Sequence, residues 1–365
     1  MIRFAAGRKS YSSVEMFAWA FPAAVLLSIV LSMACPSLGQ TQPLGSATWT
    51  VSLVLPARVV AGKPAMLAVL GADGRLASGV TVEVGNERVT TDGTGRASFT
   101  APPAGHALLA NASGASAAAV IDSAPSMGTQ GSIAVAPVVA LRQPFSICGF
   151  NFQGDAQTSH VRINGEPALV MAASPECLSV LPGAKAVPGS AQISVASAAT
   201  PGGRWSARTT LVALDLELQE TKLTPGQKTT LTVRVRGSDQ RLRVGVENQV
   251  PGVLRFIRGD VQQTGTCGGP NNIAQIEVQT IRSGDFSFDA KLMPAPDEDL
   301  ARAYLQAAVP LATHDLQRDV TRLLKHLEQH PRDFEVVRRN IDGILSDTIA
   351  SDFRTVLVAA RTALS

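Results

Sequence analysis

The chain is short of almost everything from which a reactive centre is built. Its 365 residues include five histidines and four cysteines. No G-x-S-x-G elbow, H-E-x-x-H, C-x-x-C or P-loop occurs. Each of those motifs gathers several polar groups within hydrogen-bond reach, so the familiar hydrolase, metalloprotease, thiol-redox and nucleotide-binding frameworks drop out. Aromatic content is only 5%. Beyond the first forty residues, Trp49, Trp205 and Tyr304 are the only Trp and Tyr. Sugar-binding faces use exposed Trp or Tyr as amphipathic platforms, and this scarcity weighs against a polysaccharide-binding module. Charge of one sign is lacking too. Lys+Arg is 32 against Asp+Glu 29, a net +3, which gives no reason to expect nucleic acid.

What is present begins at the N-terminus. Arg3, Arg8 and Lys9 precede the apolar run Met16–Ala34, and small residues and Pro36 follow. That is the order of an export signal over residues 1–39. Cleavage before Cys35 or before Gln40 both satisfy the small-residue rule. Lipid attachment to Cys35 is a third outcome, although Leu31 stands four residues before it rather than three. The run is also long enough to remain as an uncleaved anchor, since about 20 apolar residues span a bilayer. In every case the bulk is expected outside the cytosol, and the membrane is touched only through this leader.

From Trp49 to Asp122, runs such as PAMLAVLG, VTVEVG, RASFTAP and AAAVID alternate with Gly/Asp/Asn turns. This predicts an antiparallel sandwich over 48–122. The stretch from Gly62 to Pro102, with its Asp73-Gly74 and Asp92-Gly93 turns, resembles bacterial Ig-like repeats of the invasin and intimin type. A Ser/Gly/Ala-rich linker leads to 133–200. There Gly149-Phe150-Asn151-Phe152, the strand Val161–Gly165, the run Leu178–Pro182 and Gly189…Ile193…Val195 resemble the TIG (IPT/TIG) family of Ig-like domains found in plexins and bacterial surface proteins. The resemblance implies that Phe152, Val180 and Ile193 face the core and that Gly165 closes a hairpin. A third alternating region, 207–293, predicts another sandwich of no assigned family, with a turn at Pro225-Gly226.

After Pro294-Ala295-Pro296 the period becomes helical. Asp297, Glu298 and Asp299 open a helix at its positive dipole end, and Pro310 closes it. Leu316, Val320, Leu323, Leu324 and Leu327 form one stripe; Phe334, Val337, Ile341 and Ile344 form another; Phe353, Leu357, Ala360 and Leu364 a third. Pro331 fits a first helical position. Three or four short helices over 297–365 are expected, their stripes closing a small bundle in preference to docking a partner.

Candidate chemistry is thin. Cys35 lies in the leader, so Cys148, Cys177 and Cys267 permit at most one intrachain bridge. Cys148 and Cys177 share a predicted domain and are the disulfide candidate; Cys267 is left unassigned. His326 and His330 share a helix face at i, i+4 spacing that could serve a metal, but Glu328 points elsewhere and a solvated helix end is preferred. Asn151, Asp155 and Asn164 are read as turn residues rather than calcium ligands. Asp73 and Asp92 are read as turn residues rather than acids. Arg241, Arg243, Arg255 and Arg258 are read as a solvated face rather than an anion site. No catalytic residue, metal or cofactor is expected. The fold class expected is mainly β: three Ig-like sandwiches in tandem followed by a small α-helical module. The function expected is non-catalytic scaffolding, spacing or adhesion at the bacterial envelope, with a protein or cell-surface partner. Two alternatives stand beside it: an envelope-complex subunit docking through its C-terminal helices, and, more weakly, an unrecognised hydrolase.

Overall fold

The computed structural model describes residues 2–4, 51–103, 107–123, 132–149, 152–197, 204–220, 222–250, 252–257, 259–265 and 270–364. The apolar leader run, Cys35, Trp49, His106, Phe150, Asn151, Arg258 and Cys267 lie outside the described residues. The chain is mainly β, 44% strand and 20% helix, with β-sandwiches followed by a helical module.

The first sandwich packs a three-stranded layer (Ser52–Val54, Pro64–Leu70, Arg96–Thr100) on a five-stranded one (Arg58–Val60, Ala115–Asp122, Ala107–Ala112, Thr81–Val84, Glu87–Thr90). Alternation is clean where one face meets solvent: Val82 and Val84 are buried while Thr81 and Glu83 are exposed. The run Pro64–Leu70 does not alternate, because both of its faces are covered. Ala65, Leu67 and Val69 enter the first core, and Met66 enters the core of the second sandwich. Not every pairing is antiparallel. Arg58–Val60 runs parallel to Val120–Asp122, and in the second sandwich Val138–Ala140 runs parallel to Thr210–Val212.

In the second sandwich the strand Glu166–Ala173 serves two layers. Its first residues pair with Ser159–Ile163 and its last with Cys177–Leu181, across an irregularity between Val170 and Ala172. Such a bulge bends a strand and re-aims its ladder. The hairpin before it turns at Asn164-Gly165, both with positive φ (51° and 84°), the conformation a tight two-residue hairpin demands. Phe152, Val180 and Ile193 are buried in this core, and Phe152 meets Trp205 edge-on at 5.7 Å.

The second and third sandwiches share a strand. Arg204–Leu211 pairs with Gly189–Ala196, and Ala213–Leu218 of the same 15-residue strand pairs with Leu231–Arg236. A domain boundary at 207 therefore cuts a continuous ladder. The sequence gives no sign of this, since the alternation of RWSARTTLVALDLEL passes through the junction unbroken. The third core is built on Leu231, Val233, Ile276, Val278 and Phe288, between Lys228–Arg236, Ile273–Thr280 and Leu254–Phe256 on one side and Phe286–Leu292, Arg243–Asn248 and Val261–Gln263 on the other. Ile2–Phe4 lies along Phe286–Phe288.

Four helices follow: α1 (Glu298–Ala308), α2 (His314–Gln329), α3 (Phe334–Ser346) and α4 (Ser351–Ala363). Asp297 caps α1, its carboxylate accepting from the Leu300 amide at 2.9 Å. Pro310 sits in a single 3-10 turn after α1. Pro331 does not open α3; the helix begins at Phe334, and Asp333 is its N-terminal flank. The Asp333 side chain makes no cap bond because its carboxylate is turned toward His326.

Candidate functional site

The residues that sequence chemistry singles out remain scattered. Asp92 accepts from the Thr94 hydroxyl and the amides of Thr94 and Arg96. These bonds, the hydroxyl's above all, hold its carboxyl below the usual carboxylate value. Asp73 accepts from the Arg75 amide and Asp155 from that of Gln157, so both close their own turns. Asn164 accepts from the Gln192 amide at 2.8 Å. Arg241 reaches Asn271 and Arg255 reaches Gln279. Burial pulls the Arg243 guanidinium below its usual value; Arg338 adds to that effect and Glu335 opposes it. Arg243 is thus half-buried rather than part of an open strip.

His326 and His330 are adjacent, with ring centroids 4.9 Å apart, and Nε2 of His326 is 3.0 Å from Oδ2 of Asp333. The aspartate comes from beyond the turn, a partner that helix spacing alone could not supply. No group of three or more His, Cys, Asp or Glu among the described residues is arranged to hold a metal ion. Cys148 and Cys177 are directly opposed on antiparallel strands and joined by a disulfide, Cα atoms 4.2 Å apart.

Two buried polar side chains, Arg96 and Ser174, and the half-buried Gln143 bond across joints between modules. Arg96, 8% exposed, donates to the carbonyls of Val170 at 2.7 Å and Met171 at 3.2 Å, crossing from the first sandwich to the second. Burial lowers its pKa, while Asp92 and Asp155 pull it back. Ser174, fully buried, donates to the Arg58 carbonyl at 2.6 Å and accepts from the Cys177 amide at 3.0 Å. It links the disulfide turn to the first sandwich. The Gln143 amide brackets Leu292, donating to its carbonyl and accepting from its N–H, both at 3.0 Å. That ties the second sandwich to the third.

The helices complete the set of joints. Their stripes, including Val320, Leu323, Leu327, Val337, Ile341, Phe353 and Leu357, form one core that also takes in Val120, with Ala107, Leu109 and Ala118 packed against it. The bundle therefore closes on itself and on the outer face of the first sandwich, some 200 residues back along the chain. None of Arg96, Ser174 and Gln143 carries a motif; each is an ordinary strand or turn residue until the fold brings another module to it.

One open depression of about 360 Å³ lies at the far end of the first sandwich, lined by Glu83, Arg88, Asn111, Ser113 and Ser116 among others. Four of its polar side chains pair off: Arg88 donates to Glu83 at 2.6 Å and Ser116 to Asn111 at 2.6 Å. It joins no acid to a base and holds no nucleophile–base pair. Among the described residues, no helix is long and apolar enough to cross a membrane.

No protein-family model matches the chain, and no curated protein matches it by sequence. Solved structures with some similarity include the plexin A4 extracellular region (11% identity, 67% of this chain and 33% of that one, TM-score 0.28). Others are Bacteroides ovatus SGBP-B in complex with a mixed-linkage heptasaccharide (10%, 65% and 66%, TM-score 0.22) and the Yersinia pseudotuberculosis adhesin InvE (11%, 67% and 55%, TM-score 0.18). The chain spans less than two thirds of the length of each of these structures, and at such TM-scores the likeness carries no argument about what this chain does.

Proposed function

We propose that this chain is a non-catalytic exported protein of the bacterial cell envelope, acting in scaffolding, spacing or adhesion toward a protein or cell-surface partner. One observation carries the reading. Two buried side chains, Arg96 toward the Val170 and Met171 carbonyls and Ser174 toward the Arg58 carbonyl, spend hydrogen bonds on joining the first sandwich to the second. Buried hydrogen bonds to a charged donor are strong and costly to leave unmade, so residues spent this way fix relative position. A frame with fixed geometry and variable outer loops suits a presenting or spacing role. The disulfide and the basic-then-apolar leader both fit an oxidising compartment.

Docking through the apolar faces of the C-terminal helices is not favoured, because those faces are buried against one another and against Ala107, Leu109, Ala118 and Val120. A hydrolase is not favoured, because among the described residues no acid, base and nucleophile meet. Fractionation of the native host, with the mass of the mature N-terminal peptide, tests the reading. The expected result is a protein outside the cytosol whose N-terminus begins at Cys35 or Gln40, or an intact leader held in the membrane. A full-length protein in the cytosolic fraction would refute it.

A further inference from the structure

Three neighbouring strands of the second sandwich turn to solvent a face that carries three arginines and no acid. Ser159–Ile163, Gly189–Ser197 and the first half of the long shared strand, Arg204–Leu211, contain no Asp or Glu. Residues paired across a ladder share a face. The register therefore sets His160, Ala196 and Arg204 in one row, Arg162, Ser194 and Ser206 in the next, and Gln192 with Arg208 in a third. His160, Arg162, Gln192, Arg204, Ser206 and Arg208 are all exposed. The residues alternating with them, Val161, Ile163, Ile193, Val195 and Trp205, fill the core. With strands about 4.8 Å apart and about 3.3 Å of rise per residue, the three arginines lie on a patch of roughly 10 by 13 Å.

Some cations on the sandwiches are held by acids, and others, such as Arg241 and Arg255, by amide oxygens. Arg88 pairs with Glu83, Arg236 with Asp215 and Lys291 with Glu247. Among the described residues, neither His160 nor any of Arg162, Arg204 and Arg208 is in an ion pair; Arg162 donates only to the Gly165 carbonyl, at 2.8 Å. Like charges on one face repel and destabilise the isolated fold. An anionic partner removes that repulsion.

We propose that this face binds an anionic polysaccharide, a chain bearing carboxylate or sulfate groups laid across the three strands. Guanidinium groups match planar carboxylate and sulfate oxygens with paired N–H donors. Between the arginines lie Gln192, Ser194 and Ser206, short donors and acceptors suited to sugar hydroxyls. A membrane-binding face would instead carry large apolar side chains that enter the acyl boundary. A single-strand nucleic-acid face would carry aromatic stacking platforms. Charge here takes the place of the Trp and Tyr platforms that the chain lacks. The proposal rests on the envelope reading only for the polymer's location.

Binding of the purified mature protein to polygalacturonate and heparin tests it, with dextran as the neutral polymer and phosphatidylglycerol/phosphatidylcholine vesicles as the lipid surface. We expect binding to at least one polyanion, weakening as NaCl rises, and none to dextran. The variant R162Q/R204Q/R208Q lowers that affinity at least about tenfold. The charge-matched variant R318Q/R322Q/R339Q, on the helices, stays within about twofold. Tryptophan emission and the thermal midpoint report whether each variant is folded; should the triple variant not fold, R208Q alone is expected to lose about two- to fivefold. Absence of binding to both polyanions, equal loss in the helix variant, or tighter binding to vesicles than to either polyanion would each overturn the proposal. Such a failure leaves the envelope reading standing, because that reading is decided by fractionation.

Discussion

The phenol of Tyr304 donates a hydrogen bond to the backbone carbonyl of Ala118 at 3.1 Å, across 186 residues of chain. It fastens α1 to the last strand of the first sandwich. Burial pushes the phenol up to about 12 from its ordinary 10.0. The folded state thus holds this proton more tightly than the unfolded chain. The resulting stability is complete below pH 10 and is lost as pH rises from about 10 toward 12. Tyr304→Phe removes both the bond and that titration. We expect a loss of about 1 kcal/mol at neutral pH and a flatter decline of stability above pH 10. Urea midpoints measured from pH 7 to 11.5 decide it; parallel curves for the two proteins would contradict the contact.

The same docking predicts unequal costs along α4. Phe353 is buried in the helical core and Val358 is 46% exposed on the opposite side. Phe353→Ala should lower stability by about 3–5 kcal/mol, and Val358→Ala by no more than about 0.5 kcal/mol. If the helices are an independent appendage, Phe353→Ala will leave hydrogen exchange in Ala107–Asp122 unchanged. If they are docked as described, protection of those two strands falls with the helix.

The distinction between elements and joints marks what the sequence could disclose. Period-2 and period-3.6 patterns are local, so Thr81–Val84 and the stripe Val320–Leu323–Leu327 were readable from spacing, while the strand ending at Ile163 and the hairpin at Gly165 came through the resemblance to the TIG family. The shared strand Arg204–Leu218 was not, because alternation continues whichever neighbour pairs with it. The run Pro64–Leu70 was readable as a strand; that a second module covers its outer face was not. Arg96 offers no local signal at all; its role depends on carbonyls about 75 residues away. The basic face was hidden for the same reason. Arg162 and Arg208 become neighbours only through two ladders, whereas Arg241 and Arg255 turn to separate partners, Asn271 and Gln279.

Arg96 gives a test of the joint between the first two sandwiches. Arg96→Met keeps the aliphatic stem but leaves the carbonyls of Val170 and Met171 without their donor. Hydrogen bonds to a charged group contribute about 1.5–3 kcal/mol, and we expect a loss in that range. Exposed Arg88→Met, which breaks only a surface pair with Glu83, should cost no more than about 1 kcal/mol. Small-angle scattering gives a second readout. A broadened shape for Arg96→Met with an intact disulfide would locate the damage at the joint.

Asp92 supplies an acid-side counterpart. Its carboxyl is held below its ordinary 3.8 by the Thr94 hydroxyl and the amides of Arg96 and Thr94. A depressed carboxyl favours the folded state fully above pH 3.8, and that contribution disappears as pH falls through the lower folded value. Asp92→Asn cannot ionise, so the variant should be less stable than the parent at pH 7. The gap should narrow steadily below about pH 4. Thr94→Val removes the largest of the three bonds and should produce part of the same narrowing. A gap that stays constant from pH 7 to 2.5 would mean that the turn is held by backbone geometry alone, with the carboxylate a bystander.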